Sequence, residues 1–154
     1  MTINDALRII TASLSLLPPR YDSTEARAML IAIALQESDL RHRQQIGGPA
    51  RGYWQFEHIG VRGVLEHSAT AQVATELLKR LDYDTTSTAA YGAIIHNDVL
   101  AGCLARLALF RLPQPLPGRS QSDEAWRQYI QVWRPGKPHP DKWSHNYARA
   151  WDHV

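Results

Sequence analysis

One glutamate lies at the predicted end of an apolar helix, where burial would change the pKa of its carboxyl group. Residues 28–35 are all apolar, with no glycine or proline, and Glu37 follows closely. Because a helix that is apolar on every side is normally buried, we predict that Glu37 emerges from the core at the floor of a cleft. Burial there would raise the pKa of Glu37, so that it keeps a proton near neutral pH. A protonated carboxyl at a cleft edge suits a general acid for glycosidic bond cleavage.

A second stretch with chemical potential lies about fifteen residues downstream, after a polar loop. In Gly52-Tyr53-Trp54-Gln55-Phe56 a glutamine stands between large aromatic residues, and such a polar residue usually has a defined partner. Since aromatic residues favour strands, the stretch predicts at most a very small β-hairpin. Strand alternation would place Trp54 in the core and send Tyr53 to the opposite side, so Tyr53 stays open between the core and the cleft.

The rest of the chain has the periodicity of helices and positions these two stretches. Thr2 or Asn4 can cap a first helix, Asp22 with Glu25 gives a capping pattern for the apolar helix, and Ser68 can cap a later one. Residues 89–112 are the longest helical candidate. The prediction is a mainly α fold, a single domain over residues 1–154.

Six aromatic residues in the last third of the chain invite interpretation as a sugar-stacking platform. Their helical spacing is more typical of a core, and we favour the core. They are Trp126, Tyr129, Trp133, Trp143, Tyr147 and Trp151.

Composition limits the remaining possibilities. The chain has 154 residues, 44% hydrophobic and 21% charged, as in an ordinary globular protein. The single Cys103 excludes an internal disulfide, and the seven histidines show no zinc-binding spacing, so we expect no metal and no cofactor. The net charge of +2 does not indicate a nucleic-acid partner, although it suits weak attraction to an acidic polymer such as a bacterial wall.

At this point a family can be named. Glu37-Ser38 after a predicted buried helix, followed by the stretch 52–56, resembles the lysozyme superfamily, in particular its soluble lytic transglycosylase and goose-type branch. That branch has Glu-Ser and then Gly-x-(Met or Trp)-Gln-(Ile or Phe). Residues 46–52 and 133–139 are similar to phage-encoded members. The resemblance implies a lysozyme-like fold and cleavage of the β-1,4 bond between N-acetylmuramic acid and N-acetylglucosamine in peptidoglycan.

The resemblance also assigns roles to individual residues. Glu37 matches the catalytic acid, and Ser38 matches a residue that supplies a supporting hydrogen bond near it. Gln55 and the backbone around Gly52 match the part that lines the sugar subsites, and Tyr53 is a further candidate for substrate binding.

A third family motif, Ala-Tyr-Asn-x-Gly on a later helix, has no clean counterpart. Ala90-Tyr91-Gly92 and His96-Asn97-Asp98 each match only part of it. Tyr91 and Asn97 therefore both stay open as its equivalent.

No motif assigns a second catalytic carboxylate, and the mechanism depends on whether there is one. If Glu37 acts alone, the N-acetyl group or the 6-hydroxyl of the sugar traps the reacting centre, as in a lytic transglycosylase. If a second carboxylate activates water, the protein is a hydrolase. The candidates are Glu57, Asp98 and Asp39, and Glu57 also suits the start of the following helix.

The expected setting follows from the same resemblance. Peptidoglycan is the predicted partner, with other phage virion or lysis proteins as further candidates. No apolar run approaches the roughly 20 residues of a membrane span, so we expect no stable membrane insertion. The first residues lack a secretory signal, which predicts synthesis in a bacterial cytoplasm and action at the wall through a separate membrane lesion or from a virus particle. The alternatives are a non-catalytic wall-binding or virion structural module, and a helical nucleic-acid-binding protein.

Overall fold

The apolar stretch forms the central helix of the molecule. The computed structural model describes residues 1–154 and contains eight α-helices. They are α1 Ile3–Ser15, α2 Thr24–Ser38, α3 His58–Glu66, α4 Ala71–Arg80, α5 Ser87–Ala93, α6 Asp98–Phe110, α7 Ser122–Trp133 and α8 Pro140–Trp151. Helix α2 packs against α8, α1 and α6, and every residue from Ala28 to Leu35 is buried. The prediction of a mainly α fold is confirmed.

One hydrophobic core joins the helices. It contains 37 buried residues and includes members of all eight helices. Of the aromatic residues predicted to be core, Tyr129, Trp143 and Tyr147 are buried, and the other three are half-buried against the same cluster. None of the helices combines the length and apolar character that a membrane crossing requires.

Helix starts differ in part from the predicted caps. Thr2 caps α1 and forms a capping box with Asp5, which decides against Asn4. The prediction of Asp22 as the cap of α2 was wrong, because Ser23 accepts the hydrogen bond from the Ala26 amide. Asp22 instead pairs with an arginine of the first turns of α2. Ser68 does not cap α4 either, since that helix begins two residues later, after Thr70.

The long helix predicted over residues 89–112 is two helices. The Oδ1 atom of Asn97 accepts a hydrogen bond from the Leu100 amide and starts α6 anew. Gly102 lies inside α6 because the side chains of Ser13 and Trp54 come close there, and an added Cβ would lie 2.3 Å from Ser13 Oγ. The packing of α6 therefore requires a glycine at this position.

Turns replace the small hairpin between α2 and α3. No sheet forms, and only two isolated antiparallel bridges remain, Gln44–Arg51 and Arg51–Phe56. Gly52 and Gln55 have φ angles of 74° and 49°, which curl the backbone into a turn. Strand alternation therefore fails. Tyr53 is buried like Trp54, and the two are 5% and 1% exposed.

Candidate active site

The Glu37 carboxyl lies in the last turn of α2 and contacts α7. Its Oε1 atom accepts a hydrogen bond of 2.6 Å from the hydroxyl of Tyr129. Burial raises the pKa of Glu37 from 4.5 to about 7, and the hydrogen bond from Tyr129 opposes part of that rise. The predicted increase in the pKa of Glu37 is confirmed. At neutral pH this carboxyl is divided between its protonated and charged forms, so it can both donate and accept a proton.

Aromatic rings of α7 and α8 hold Tyr129 in place. The Tyr129 ring stacks on Trp143, with ring centroids 5.0 Å apart and an interplanar angle of 10°, and it lies 6.3 Å from the Trp133 ring. Burial and the Glu37 carboxylate raise the pKa of Tyr129, which therefore stays a hydrogen-bond donor. Sequence reasoning placed Tyr129 in the core and missed its contact with Glu37, because nothing in the local spacing indicates it.

Ser38 joins the end of α2 to the turn that follows the polar loop. Its hydroxyl is buried, 3.0 Å from the Ala34 carbonyl oxygen of its own helix and 2.8 Å from that of Tyr53. Beside this bond, Asp39 and Leu40 have positive φ angles that end α2 and direct the chain away. The residue after Glu37 thus fixes the position of the turn relative to the carboxyl.

Helices on two sides hold the turn at residues 52–56. The Trp54 indole donates to the Leu30 carbonyl of α2 at 3.0 Å, and the Trp133 indole of α7 donates to the Trp54 carbonyl at 2.8 Å. The predicted partner of Gln55 lies within the turn itself, since its side-chain amide donates to the Gly52 carbonyl at 2.8 Å. Gly52 and Gln55 are thereby brought close to each other beside the end of α2.

Asp98 anchors the polar loop to α6. Its two oxygens form a bidentate pair with Arg43, at 2.9 Å to Nε and 2.7 Å to Nη2. The Arg43 guanidinium also lies over the Tyr53 ring, 4.8 Å from its centroid. Both carboxylate oxygens are engaged, so this geometry favours an anchoring role for Asp98 over the activation of water.

Tyr91 fixes the other side of the same loop. The Arg51 guanidinium lies 3.9 Å above the Tyr91 ring, and His58 stacks at a centroid distance of 5.2 Å. The Tyr91 hydroxyl donates to the Pro49 carbonyl. Asn97 caps α6 and donates to the Tyr83 hydroxyl at 3.2 Å. These hydrogen bonds and stacking contacts do not include Glu37, so they do not decide which of the two replaces the third family motif.

The two other candidate carboxylates lie at exposed positions. Asp39 follows α2 directly and pairs with Arg41 at 3.0 Å. Glu57 precedes α3 at the capping position, but its side chain makes no capping hydrogen bond there. Neither residue has the burial that changes the chemistry of Glu37.

A cavity of about 580 Å³ lies at the opposite end of α2. Its lining includes Asp22 and Arg27, which pair with each other, and the Ser23 side chain, which caps the helix. The charged groups of this cavity are occupied by each other, so the cavity offers no free acid or base.

The structure contains no group of three or more His, Cys, Asp or Glu side chains arranged to hold a metal. Comparisons of the chain with family models, curated proteins and solved structures give no match. The resemblance to the lysozyme superfamily therefore stays a prediction from the motifs at Glu37-Ser38 and residues 52–56.

Proposed function

We propose that this protein cleaves the glycan strands of peptidoglycan, with Glu37 as the general acid. The observation that carries the proposal is the half-buried Glu37 carboxyl, whose pKa is raised by burial to about 7. It lies beside a turn whose sequence resembles that of the lytic transglycosylase branch. The Ser38 bond to the turn and the Tyr129 bond to the carboxyl support it, since both fix the acid relative to a substrate.

The positions and contacts of the other candidate carboxylates favour a mechanism in which Glu37 acts alone. Asp98 and Asp39 are paired with arginines, and Glu57 is exposed. In this mechanism the Glu37 carboxyl donates its proton to the glycosidic oxygen as the bond to C1 breaks. The resulting carboxylate then takes the proton of the sugar 6-hydroxyl, whose oxygen bonds to C1. The product is an anhydro sugar, no water is consumed, and Glu37 is protonated again.

The test is mass spectrometry of the soluble products from purified peptidoglycan, with wild type beside Glu37→Gln. We expect anhydro-muropeptides from wild type and none from the variant, since glutamine cannot donate the proton. Reducing muropeptides would instead mean a hydrolase, in which Glu57, Asp98 or Asp39 activates water. No cleavage by wild type would contradict the proposal and favour a non-catalytic wall-binding or virion structural module.

Synthesis in a bacterial cytoplasm, delivery to the wall and phage partners stay predictions from the resemblance.

A further inference from the structure

A strongly basic segment joins α7 to α8. Residues 134–142, here called the basic segment, contain Arg134, Lys137 and Lys142 against the single carboxylate of Asp141. This excess of two positive charges equals the formal net charge of the whole chain, +2, so the remaining residues are balanced. All of its residues except Pro135 are exposed. The basic segment therefore offers three exposed cations in one accessible stretch.

The cations of the basic segment have no acidic partner. None of the seven ion pairs of the structure includes Arg134, Lys137 or Lys142. The arginines of the polar loop differ, because Arg41 pairs with an aspartate at 3.0 Å and Arg43 pairs with another at 2.7 Å. An exposed cation without a partner is available to an anionic ligand, whereas the loop arginines are already engaged.

Contacts at both ends place the basic segment beside the candidate acid. At one end, α7 carries Tyr129, which donates to Glu37 at 2.6 Å. At the other end, the amide of Gln36, the residue before Glu37, donates to the His139 carbonyl at 2.9 Å. Asn146 of α8 holds that amide group from the other side, donating to its oxygen at 2.9 Å. The His139 carbonyl of the basic segment therefore contacts the last turn of α2, and the segment begins five residues after Tyr129.

Arg111 extends the positive surface beyond the basic segment. Its guanidinium lies against α3 at Gly63, where an added Cβ would come within 2.6 Å of Nη1. Burial, and to a smaller extent the positive charge of Arg134, lower the pKa of Arg111. No carboxylate forms an ion pair with either of them. Positive charges without a counter-ion favour the binding of an anion.

We propose that the basic segment binds the carboxylates of the stem peptides on the glycan strand whose bond lies at Glu37. The inference rests on the proposed function and adds a substrate feature that the acid itself does not recognise. Stem peptides branch from alternate sugars of the strand, so a carboxylate lies near every bond that is cleaved. Arg134 offers a guanidinium fork for such a carboxylate, and Lys137 offers a point charge. The amino end of α8 lies within the basic segment, and its dipole adds positive charge there.

The experiment compares two doubly substituted proteins that lose the same charge. The first is Arg134→Gln/Lys137→Gln, and the control is Arg20→Gln/Lys79→Gln, which removes exposed cations without ion pairs before α2 and on α4. Each is assayed on peptidoglycan with its stem peptides and on glycan strands from which an amidase has removed them. Each is also combined with Glu37→Gln, and binding to both materials is measured by co-sedimentation.

For the first variant we expect KM on peptide-bearing strands to rise about three- to tenfold, as for the loss of two exposed ion pairs. Its kcat and its KM on stripped strands stay unchanged, and the control resembles wild type on both. Equal losses on both materials, or no loss, would overturn the inference.

The binding assay separates this inference from the proposed function. If wild type cleaves neither material, the proposed function fails. Peptide-dependent binding that Arg134→Gln/Lys137→Gln abolishes would still support the inference in that case, and the absence of such binding would overturn it as well.

Discussion

The Tyr129 hydroxyl and the Glu37 carboxyl form a hydrogen bond of 2.6 Å between residues that are 92 positions apart in the chain. Burial favours the protonated form of Glu37, and the Tyr129 hydroxyl favours the charged form. The balance of the two brings the pKa of Glu37 to about 7, which is where a group that must first donate and then accept a proton works best.

The raised pKa of Glu37 makes the free energy of unfolding depend on pH. Below pH 4.5, the ordinary value, the carboxyl is protonated in both the folded and the unfolded state. As the pH rises towards about 7, only the folded state keeps the proton, so stability falls and then levels off. From the shift of the pKa, the loss amounts to at most about 3 kcal/mol.

Glu37→Gln should therefore be more stable than wild type near pH 8 and equally stable near pH 4. Chemical denaturation at the two pH values measures this difference. Glu76→Gln is the control, because this side chain is exposed on α4 and should show no such pH-dependent gain. If Glu37→Gln gained nothing at the higher pH, the carboxyl would not be desolvated as the structure indicates.

Tyr129→Phe removes the hydrogen bond that favours the charged form of Glu37. We expect the pKa of Glu37 to rise further, so that the alkaline limb of the pH–activity profile moves upward. Tyr147→Phe is the matched control, because its hydroxyl donates to the carbonyls of Pro117 and Gly118 and not to Glu37. Equal pH profiles for wild type and Tyr129→Phe would show that the hydroxyl does not influence the acid.

Ser38→Ala tests whether the turn must be tied to α2. Ser13 offers a close match, since its buried hydroxyl lies 2.8 Å from the Ile9 carbonyl of its own helix and 2.9 Å from the distant Val99 carbonyl. Each alanine substitution should lower the free energy of unfolding by about 1–3 kcal/mol. We expect only Ser38→Ala to lower kcat in the remaining folded protein, and similar kcat values for both would contradict the positioning role.

Asp98→Asn and Arg43→Gln should have similar effects, because each removes one member of a single bidentate pair. Both should reduce activity modestly through a looser loop, and the double variant should lose little more than either alone. Steady-state kinetics of the three variants make the comparison. If Asp98→Asn abolished activity while Arg43→Gln kept it, Asp98 would be the second catalytic carboxylate.

Local pattern was sufficient for the mainly α fold and for the direction of the Glu37 pKa shift. The uninterrupted apolar run at 28–35 predicted a buried helix, and the position of Glu37 after it predicted the direction of its pKa shift. The only sequence signal for the break before α6 was the polar group at 96–98. Sequence alone did not show whether these polar residues lie within one helix or cap a new one.

Long-range contacts account for what sequence did not indicate. Tyr53 and Trp54 have the composition of a strand, but the turn depends on positive φ angles at Gly52 and Gln55 and on an indole from α7. Tyr129 belongs to an aromatic stripe that spacing assigns to the core. Its hydroxyl contacts Glu37 only because α7 packs against the end of α2, and helical periodicity does not predict which helices pack together.

The separation between Glu37 and Tyr129 has a consequence for the newly made chain. At ordinary rates of translation the ribosome adds the 92 residues from Ser38 to Tyr129 in roughly 5–20 s. During that interval α7 and α8 do not yet cover the end of α2, and the glutamate is solvated like any other surface carboxylate. The raised pKa of Glu37 therefore arises late in biogenesis, when α7 and α8 fold onto a helix that was made long before them.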